Sequence, residues 1–220
     1  SGLRGTVYQE VFGMDDEKID ETLDVLQQNL AELKEKSNSK VRVGLSPHAP
    51  YSVSRRLLKE VSTLAETEGI PLSMHLAETE EEVEFLKQGT GPFATTYRQA
   101  VGWEDIPWHQ PGLSPVRYLA ELDILTENLL VVHLAQTEKE EFDLLREADV
   151  KAAYCPKSNA KLGAGIANLP AMLEADLTIG LGTDSAASNN SLDLFSEMEF
   201  GVLLQRANQK KIDALKNANE

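Results

Sequence analysis

Three of the four histidines, His48, His75 and His133, stand at the ends of short apolar runs of this sequence. Glu78 follows His75 by three residues, and Asp184 follows another apolar run in GLGTDS. Imidazole and carboxylate groups bind divalent metals such as zinc or iron, and they also transfer protons. These residue types point to hydrolysis by a metal-activated water, with Glu78 as the group that accepts and returns protons.

Each of these residues also has a purely structural interpretation. A single histidine near a strand end is more often structural than a ligand, although three at one edge weigh against that interpretation. Asp184 could cap a helix or a turn. Glu78 lies in an acid-rich segment, where a solvated carboxylate is common. From the residues alone, one imidazole and one carboxylate are too few ligands for a stable catalytic metal site.

Runs of apolar and β-branched residues predict the elements that position these groups. We expect six strands, over residues 6–12, 41–47, 71–77, 129–135, 150–156 and 177–183. Segments with helical spacing of apolar residues follow them, which predicts an α/β fold with a parallel sheet, either doubly wound or closed into a barrel. Such folds carry their active sites at the carboxyl ends of the strands, so the three histidines and Asp184 should share one rim.

Two strand ends repeat the skeleton H-L-A-x-T-E, at HLAETEEEVEFL (75–86) and HLAQTEKEEFDLL (133–145). In both copies the threonine can cap the following helix, and a glutamate three residues later can complete a capping box. The sequence therefore predicts two boxes, Thr79 with Glu82 and Thr137 with Glu140.

The composition excludes several classes of protein. A chain of 220 residues that is 41% hydrophobic can bury one sizeable core, so we expect one domain over residues 1–220. A net charge of -15 disfavours nucleic acid, and no apolar run is long enough to span a bilayer. Cys155 is the single cysteine, which excludes an internal disulfide and favours a cytoplasmic location.

Three segments carry a resemblance to a known family. HLAE, VHLAQTE and above all CPKSNAKLGAGIANLPAMLEADLTIGLGTDSAASNNSLDLFSEM resemble the branch of the amidohydrolase superfamily that contains adenosylhomocysteine and methylthioadenosine deaminases, guanine deaminase and triazine chlorohydrolases. The resemblance covers nearly the whole chain. It implies a metal-centred (β/α)8 barrel with one divalent metal, zinc or alternatively iron.

The resemblance also implies roles for individual residues. His75 and Asp184 would bind the metal, and Glu78 would be the proton shuttle. His133 would orient the attacking water or the substrate. The substrate pocket would include His48 from SPHAPYS, Asn159 from CPKSN and Glu10 from YQEVFG.

One part of the family pattern has no counterpart. Family members carry a His-x-His pair on the first barrel strand, and this sequence contains no H-x-H. Our six strands correspond to the third to eighth of the barrel, so we expect an internal fragment with an incomplete (β/α)8 barrel. Such a chain should bind the catalytic metal weakly or not at all. Its two exposed strand edges should favour a homo-oligomer.

The segment from Gly89 to Ser114 is long for a connection between a strand and a helix, and it contains Trp103 and Trp108. Long connections often form lids or binding loops. Aromatic faces here would suit a planar heterocycle, which makes Trp103 a candidate for substrate binding. The alternative is ordinary packing of the tryptophans beneath a loop.

Three functions remain open. The favoured one is hydrolytic deamination of an amino-substituted heterocycle, such as an adenosine derivative. The second is displacement of halide or another leaving group from a triazine ring. The third is a catalytically silent fragment or assembly module.

Overall fold

A computed structural model describes residues 2–215. Six strands form one sheet in the order β1-β2-β3-β4-β5-β6, and every neighbouring pair is parallel. Their bounds are β1 Gly5–Val11, β2 Val41–Pro47, β3 Leu72–Leu76, β4 Leu129–His133, β5 Lys151–Tyr154 and β6 Thr178–Leu181. The six predicted strands and the predicted parallel sheet are therefore confirmed.

Every strand except β2 ends earlier than the sequence predicted, β1 by one residue and the last four at the rim. The chain turns away from the sheet at Ala77, His133 and Leu134, where φ takes the positive values of 50°, 80° and 51°. Pro156 ends the fifth predicted strand because it begins a helix instead, at a position where its missing N–H costs nothing. The strand ends are thus set by sharp turns at the rim, and apolar character alone does not reveal them.

Helices follow the strands along the chain. They are α1 Ile19–Lys36, α2 Arg55–Glu68, α3 Glu80–Gln88, α4 Arg98–Ala100, α5 Pro115–Glu121, α6 Glu141–Glu147, α7 Pro156–Leu162, α8 Leu169–Glu174, α9 Ala186–Asn189 and α10 Leu194–Gln209. Within residues 2–215, no helix combines the length and the apolar character needed to cross a bilayer.

The helix α2 shows why the sequence forms these elements. Ser54 accepts a hydrogen bond from the backbone N–H of Leu57 and so caps the first turn. The apolar stripe predicted after the second strand faces the sheet, with Leu57, Leu58 and Val61 fully buried. Gly69 ends the helix at φ 62°, a left-handed conformation that glycine adopts without a Cβ clash. The core lies between such stripes and the central strands.

Both predicted capping boxes differ from the expected pattern. Thr79 caps α3 as expected, since its Oγ1 accepts from the N–H of Glu82 at 3.2 Å, but the Glu82 carboxyl group accepts from the N–H groups of Ala77 and Glu78, which precede the cap. The prediction for Thr137 and Glu140 is wrong, because an extra turn delays α6 until Glu141. The Oγ1 of Thr137 is buried without a hydrogen-bond partner among residues 2–215.

The connection after α3 contains little regular structure. A π-helical stretch, Phe93–Tyr97, leads into the short helix α4, and the chain then runs irregularly to α5. Trp108 stacks on Phe85, with ring centroids 4.5 Å apart and planes at 8°. Trp108 therefore packs against a helix of the core, as the structural alternative for this segment anticipated.

Candidate active site

The ends of β2, β3 and β4 bring three histidine rings into a row. The ring centroids of His48 and His75 lie 4.8 Å apart, and those of His75 and His133 lie 5.4 Å apart. The row follows the strand order, because parallel strands all end at the same edge of the sheet. His109, the fourth histidine, is exposed on the irregular connection and stands outside this row.

Hydrogen bonds at Nδ1 fix the tautomers of His75 and His133. Nδ1 of His75 lies 2.9 Å from the carbonyl oxygen of His48, and Nδ1 of His133 lies 2.8 Å from Oδ1 of Asn159. Both partners are acceptors, so we assign the proton to Nδ1 in each ring. The Nε2 atom of each ring is then left with a free lone pair.

The same reasoning applies to His48. Its Nδ1 lies 2.6 Å from the hydroxyl of Ser52, and this hydroxyl donates its own proton to the carbonyl of Ala49 at 3.2 Å. The hydroxyl must therefore accept from His48. Burial, and next the neighbouring His75, lower the pKa of His48 to about 4, so the ring is neutral at pH 7. Nε2 of His48 again carries the free lone pair.

Glu78 is the carboxylate that faces this row. Its Oε1 lies 3.7 Å from Nε2 of His133, and its side chain is 14% exposed. Nε2 of His133 is buried and has no hydrogen-bond partner within residues 2–215. Burial lowers the pKa of His133, while the Glu78 charge acts in the opposite direction. A neutral imidazole acceptor beside a carboxyl group can orient a water or share a proton with it.

A second glutamate, Glu82, fixes the backbone that carries Glu78. Its carboxylate accepts from the N–H groups of Ala77 at 3.0 Å and of Glu78 at 2.8 Å. The side chain is fully buried, which raises the pKa of Glu82 to about 8. From the sequence, Glu82 is predicted only as a partner of the Thr79 cap. Of the three consecutive glutamates Glu80, Glu81 and Glu82, only Glu82 is buried, and the sequence of the run does not distinguish it from the other two.

Asp184 lies directly after β6, in a backbone conformation that favours a turn. Its φ is 57°, and its Oδ2 accepts hydrogen bonds from the hydroxyls of Ser158 and Ser188, both at 2.6 Å. Burial raises the pKa of Asp184, but these two hydrogen bonds outweigh burial and lower it below the usual value. Asp184 is therefore an anion whose lone pairs are partly used by the protein.

The loop that carries Asp184 is held from behind by Glu197 of α10. This buried carboxylate accepts from the side-chain amide of Asn189 at 2.7 Å and from the N–H of Lys157 at 3.2 Å. The same amide also donates to the carbonyl of Thr183 at 2.6 Å. Glu197 lies in the first turn of α10, where acidic residues are common, so the sequence gives no sign of this support until its burial is known.

The remaining predicted site residues occupy different positions. Asn159 is buried on α7 and holds His133 from the side opposite Glu78. Glu10 lies exposed near the end of β1. Trp103 contacts Tyr97 at a centroid distance of 6.0 Å, and Tyr97 contacts Tyr51, which in turn packs on His48 at 5.7 Å. Trp103 is thus connected to the histidine row through two other rings.

Aromatic side chains also surround His48 itself. Phe12 packs on its ring at a centroid distance of 4.4 Å, and Tyr51 contacts its edge. Neither Phe12 nor Tyr51 carries a signal in the sequence, since each is one aromatic residue in an ordinary loop. Together they form an aromatic wall beside the ring of His48, a combination that suits a flat polar ring.

One group in the described chain has the spacing of metal ligands. Potential ligand atoms of Glu10, His48 and His75 all lie within 4.8 Å of one another. Two imidazoles and one carboxylate are a common donor set for zinc. Asp184 lies outside this group of three. The residues thus fit a divalent metal, and the assignment of His75 with Asp184 as its ligands stays a prediction.

Comparisons with known proteins identify the family and the fold. The sequence profile of the amidohydrolase family matches residues 1–218. The 5′-deoxyadenosine deaminase of Methanosphaera stadtmanae is 34% identical over 209 residues, which cover 94% of this chain and 44% of that protein. The chain spans about half the length of the curated relatives it matches.

Solved structures show the same fold. An adenosine deaminase from Xanthomonas campestris with bound zinc is 27% identical and superposes with a TM-score of 0.78, covering 99% of this chain and 45% of that one. An aminofutalosine deaminase from Helicobacter pylori, in complex with methylthio-coformycin, is 26% identical with a TM-score of 0.80, covering 92% and 49%. With the six parallel strands, these matches confirm a partial (β/α)8 barrel.

Proposed function

Because this chain belongs to the amidohydrolase family, we propose that it supplies most of the catalytic groups of a metal-dependent hydrolase that deaminates an amino-substituted heterocycle of the adenosine type. The observation that carries the proposal is the pairing of Glu78 with His133 across 3.7 Å, beside the ring of His75. Deaminases among the relatives and among the solved structures support the choice of reaction.

The reaction requires proton transfer at one place. A water oxygen adds to the ring carbon that carries the amino group, and the carbon–nitrogen bond then breaks to release ammonia. Glu78 accepts a proton from the water and delivers it to the leaving nitrogen. His133 orients the water, because the free lone pair on its Nε2 accepts a hydrogen bond. Asn159 keeps that lone pair available by holding the proton on Nδ1.

His75 and Asp184 are the residues that we propose as ligands of a divalent metal in the intact site, with zinc favoured. When bound, such a metal supplies a nucleophile by lowering the pKa of water towards neutrality. The substrate ring would lie against Phe12 and Tyr51, where Nε2 of His48 can accept a hydrogen bond from it. We propose Glu10 and Trp103 as outer residues of the same pocket.

The test is turnover of 5′-deoxyadenosine by the full-length protein, measured as ammonia release with zinc supplied. Glu78→Gln removes the proton shuttle but keeps its shape, so we expect turnover to fall by roughly 10²-fold or more. Glu81→Gln is the matched control, since Glu81 is an exposed member of the same run of glutamates. Its turnover should equal that of the unmodified protein.

Two results would contradict the proposal. Near-normal turnover of the Glu78→Gln variant would reject Glu78 as the shuttle. Release of chloride from a chlorotriazine, without ammonia release from adenosine derivatives, would favour the triazine alternative. If the full-length protein turned over neither substrate, the silent-module hypothesis would stand in its place.

We also propose that residues 1–220 form a single domain and that the protein is cytoplasmic. We propose further that it self-associates through its exposed strand edges. This chain alone also offers a second group of potential metal ligands, Glu10, His48 and His75, in addition to His75 with Asp184.

A further inference from the structure

We propose that Glu10, His48 and His75 form a divalent transition-metal site of their own within this chain, distinct from a site built on His75 and Asp184. The three residues come from three adjacent strand ends, and their ligand atoms lie within 4.8 Å of one another. This inference concerns binding only and does not depend on the proposed deaminase activity.

The two histidines are prepared for a metal by their hydrogen bonds. Nδ1 of His75 donates to the carbonyl of His48, and Nδ1 of His48 donates to the hydroxyl of Ser52. Histidines that bind metals almost always donate their other ring N–H to such a partner, which fixes the ring and directs the free lone pair. The contacts therefore leave Nε2 of both rings available and oriented.

The backbone makes this pair of rings rigid. The N–H of His75 donates to the carbonyl of His48 at 2.9 Å, so the segment after β2 is tied directly to β3. The same carbonyl also receives Nδ1 of His75, which couples the ring position of His75 to the backbone of His48. Rigid ligands lose little conformational entropy when a metal binds.

Glu10 supplies the adjustable third ligand. Its side chain is exposed, and its carboxylate has no hydrogen-bond or ion-pair partner in the part of the chain that the structure describes. A tetrahedral zinc ion with bonds of about 2.1 Å separates its ligand atoms by about 3.4 Å. The three ligand atoms, which lie within 4.8 Å of one another, must therefore approach by up to about 1.4 Å, and rotation of the unrestrained Glu10 side chain can bring its own carboxylate closer to the two rings.

Asp184 is a weaker competitor within this chain. Its Oδ2 already accepts two short hydrogen bonds, from Ser158 and Ser188, whereas the carboxylate of Glu10 has no polar partner among residues 2–215. His75 with Asp184 provides two ligands, while Glu10 with His48 and His75 provides three, the number that catalytic zinc sites normally take from a protein. His75 belongs to both sets of ligands. Because Asp184 lies outside the group of three, a single metal ion does not reach all four residues in the described geometry. Variants of Glu10, His48 and Asp184 therefore distinguish the two sites.

The experiment is titration of the 220-residue chain with cobalt(II), followed by its ligand-field absorption, and then with zinc in competition. We expect one metal per chain. Glu10→Gln and His48→Gln should each weaken binding by at least about 10-fold, the lower end of the losses known for groups around metal sites. Asp184→Asn should change the affinity by less than about twofold, and His109→Gln is a matched control outside the group.

Glu10→Gln is the decisive variant, because Glu10 is exposed and its replacement leaves the core unchanged. Circular dichroism verifies that each variant is folded. The proposal is overturned if Asp184→Asn abolishes binding while Glu10→Gln does not, if all variants bind equally, or if the unmodified chain takes up no metal. None of these readouts depends on turnover, so a failure here is distinct from a failure of the deaminase proposal.

Discussion

The run His-Leu-Ala stands at the ends of both β3 and β4, and the loops that follow diverge within one turn. After β3, the chain bends at Ala77 and enters α3 directly at Glu80. After β4, it bends two residues earlier relative to the motif, at His133 itself, and a further turn precedes α6. The same skeleton thus supports two different loop geometries.

The residue that follows the shared His-Leu-Ala illustrates the difference. Glu78 faces Nε2 of His133 across the rim. Its counterpart, Gln136, donates its side-chain N–H to the carbonyl of Ala164 at 2.6 Å, and its backbone N–H to the carbonyl of Ala77 at 2.8 Å. The first loop presents a group that can transfer protons, and the second ties neighbouring loops together. The two copies of the motif therefore both stand at the end of a strand, but the residues that follow have different roles.

The largest expected effect lies in the first loop, at Glu82. Replacing it by alanine leaves the N–H groups of Ala77 and Glu78 buried without an acceptor, at a cost of about 1–3 kcal/mol each. We expect Glu82→Ala to lower the free energy of unfolding at pH 7 by about 2–6 kcal/mol, measured by urea denaturation. Glu81→Ala, at an exposed position of the same helix, should change it by less than about 0.5 kcal/mol. Equal effects of the two variants would show that Glu82 does not hold the loop.

The second loop should respond to a change at Gly165, which packs against Gln136. Gly165 has a φ of 102°, and an added Cβ would lie 2.8 Å from Nε2 of Gln136. We expect Gly165→Ala to lower the free energy of unfolding by about 1–3 kcal/mol, partly through backbone strain and partly through this clash. In a double-mutant cycle, Gln136→Ala should relieve the steric part. Strictly additive effects would contradict the contact between the two residues.

The smallest effect separates the two threonines of the repeated motif. Thr79→Ala removes a helix cap and should cost about 1 kcal/mol. Thr137→Ala removes a hydroxyl that has no partner among residues 2–215, so it should change the stability by less than about 0.5 kcal/mol. Thermal and urea denaturation of both variants measure the difference. Equal losses would mean that both threonines act as caps, contrary to the structure.

The sequence by itself determined the six parallel strands and the placement of His48, His75 and His133 at one edge. Strand periodicity is local, and parallel connection forces all carboxyl ends to the same side, so these features need no knowledge of long-range contacts. The Thr79 cap was predictable for the same reason, because it involves neighbours within one turn. Family resemblance added the separate roles of Glu78 and His133 as expectations, and their approach to 3.7 Å came only from the structure.

The tertiary structure alone decided which groups meet across the loops. It buried Glu82 under the backbone of Glu78, left Thr137 uncapped and brought Glu10 next to His48 and His75. These outcomes depend on the direction in which each chain segment leaves its strand, and left-handed turns at Ala77 and His133 set that direction. Apolar periodicity carries no information about such turns, since a single residue with positive φ redirects a loop without changing the hydrophobic pattern.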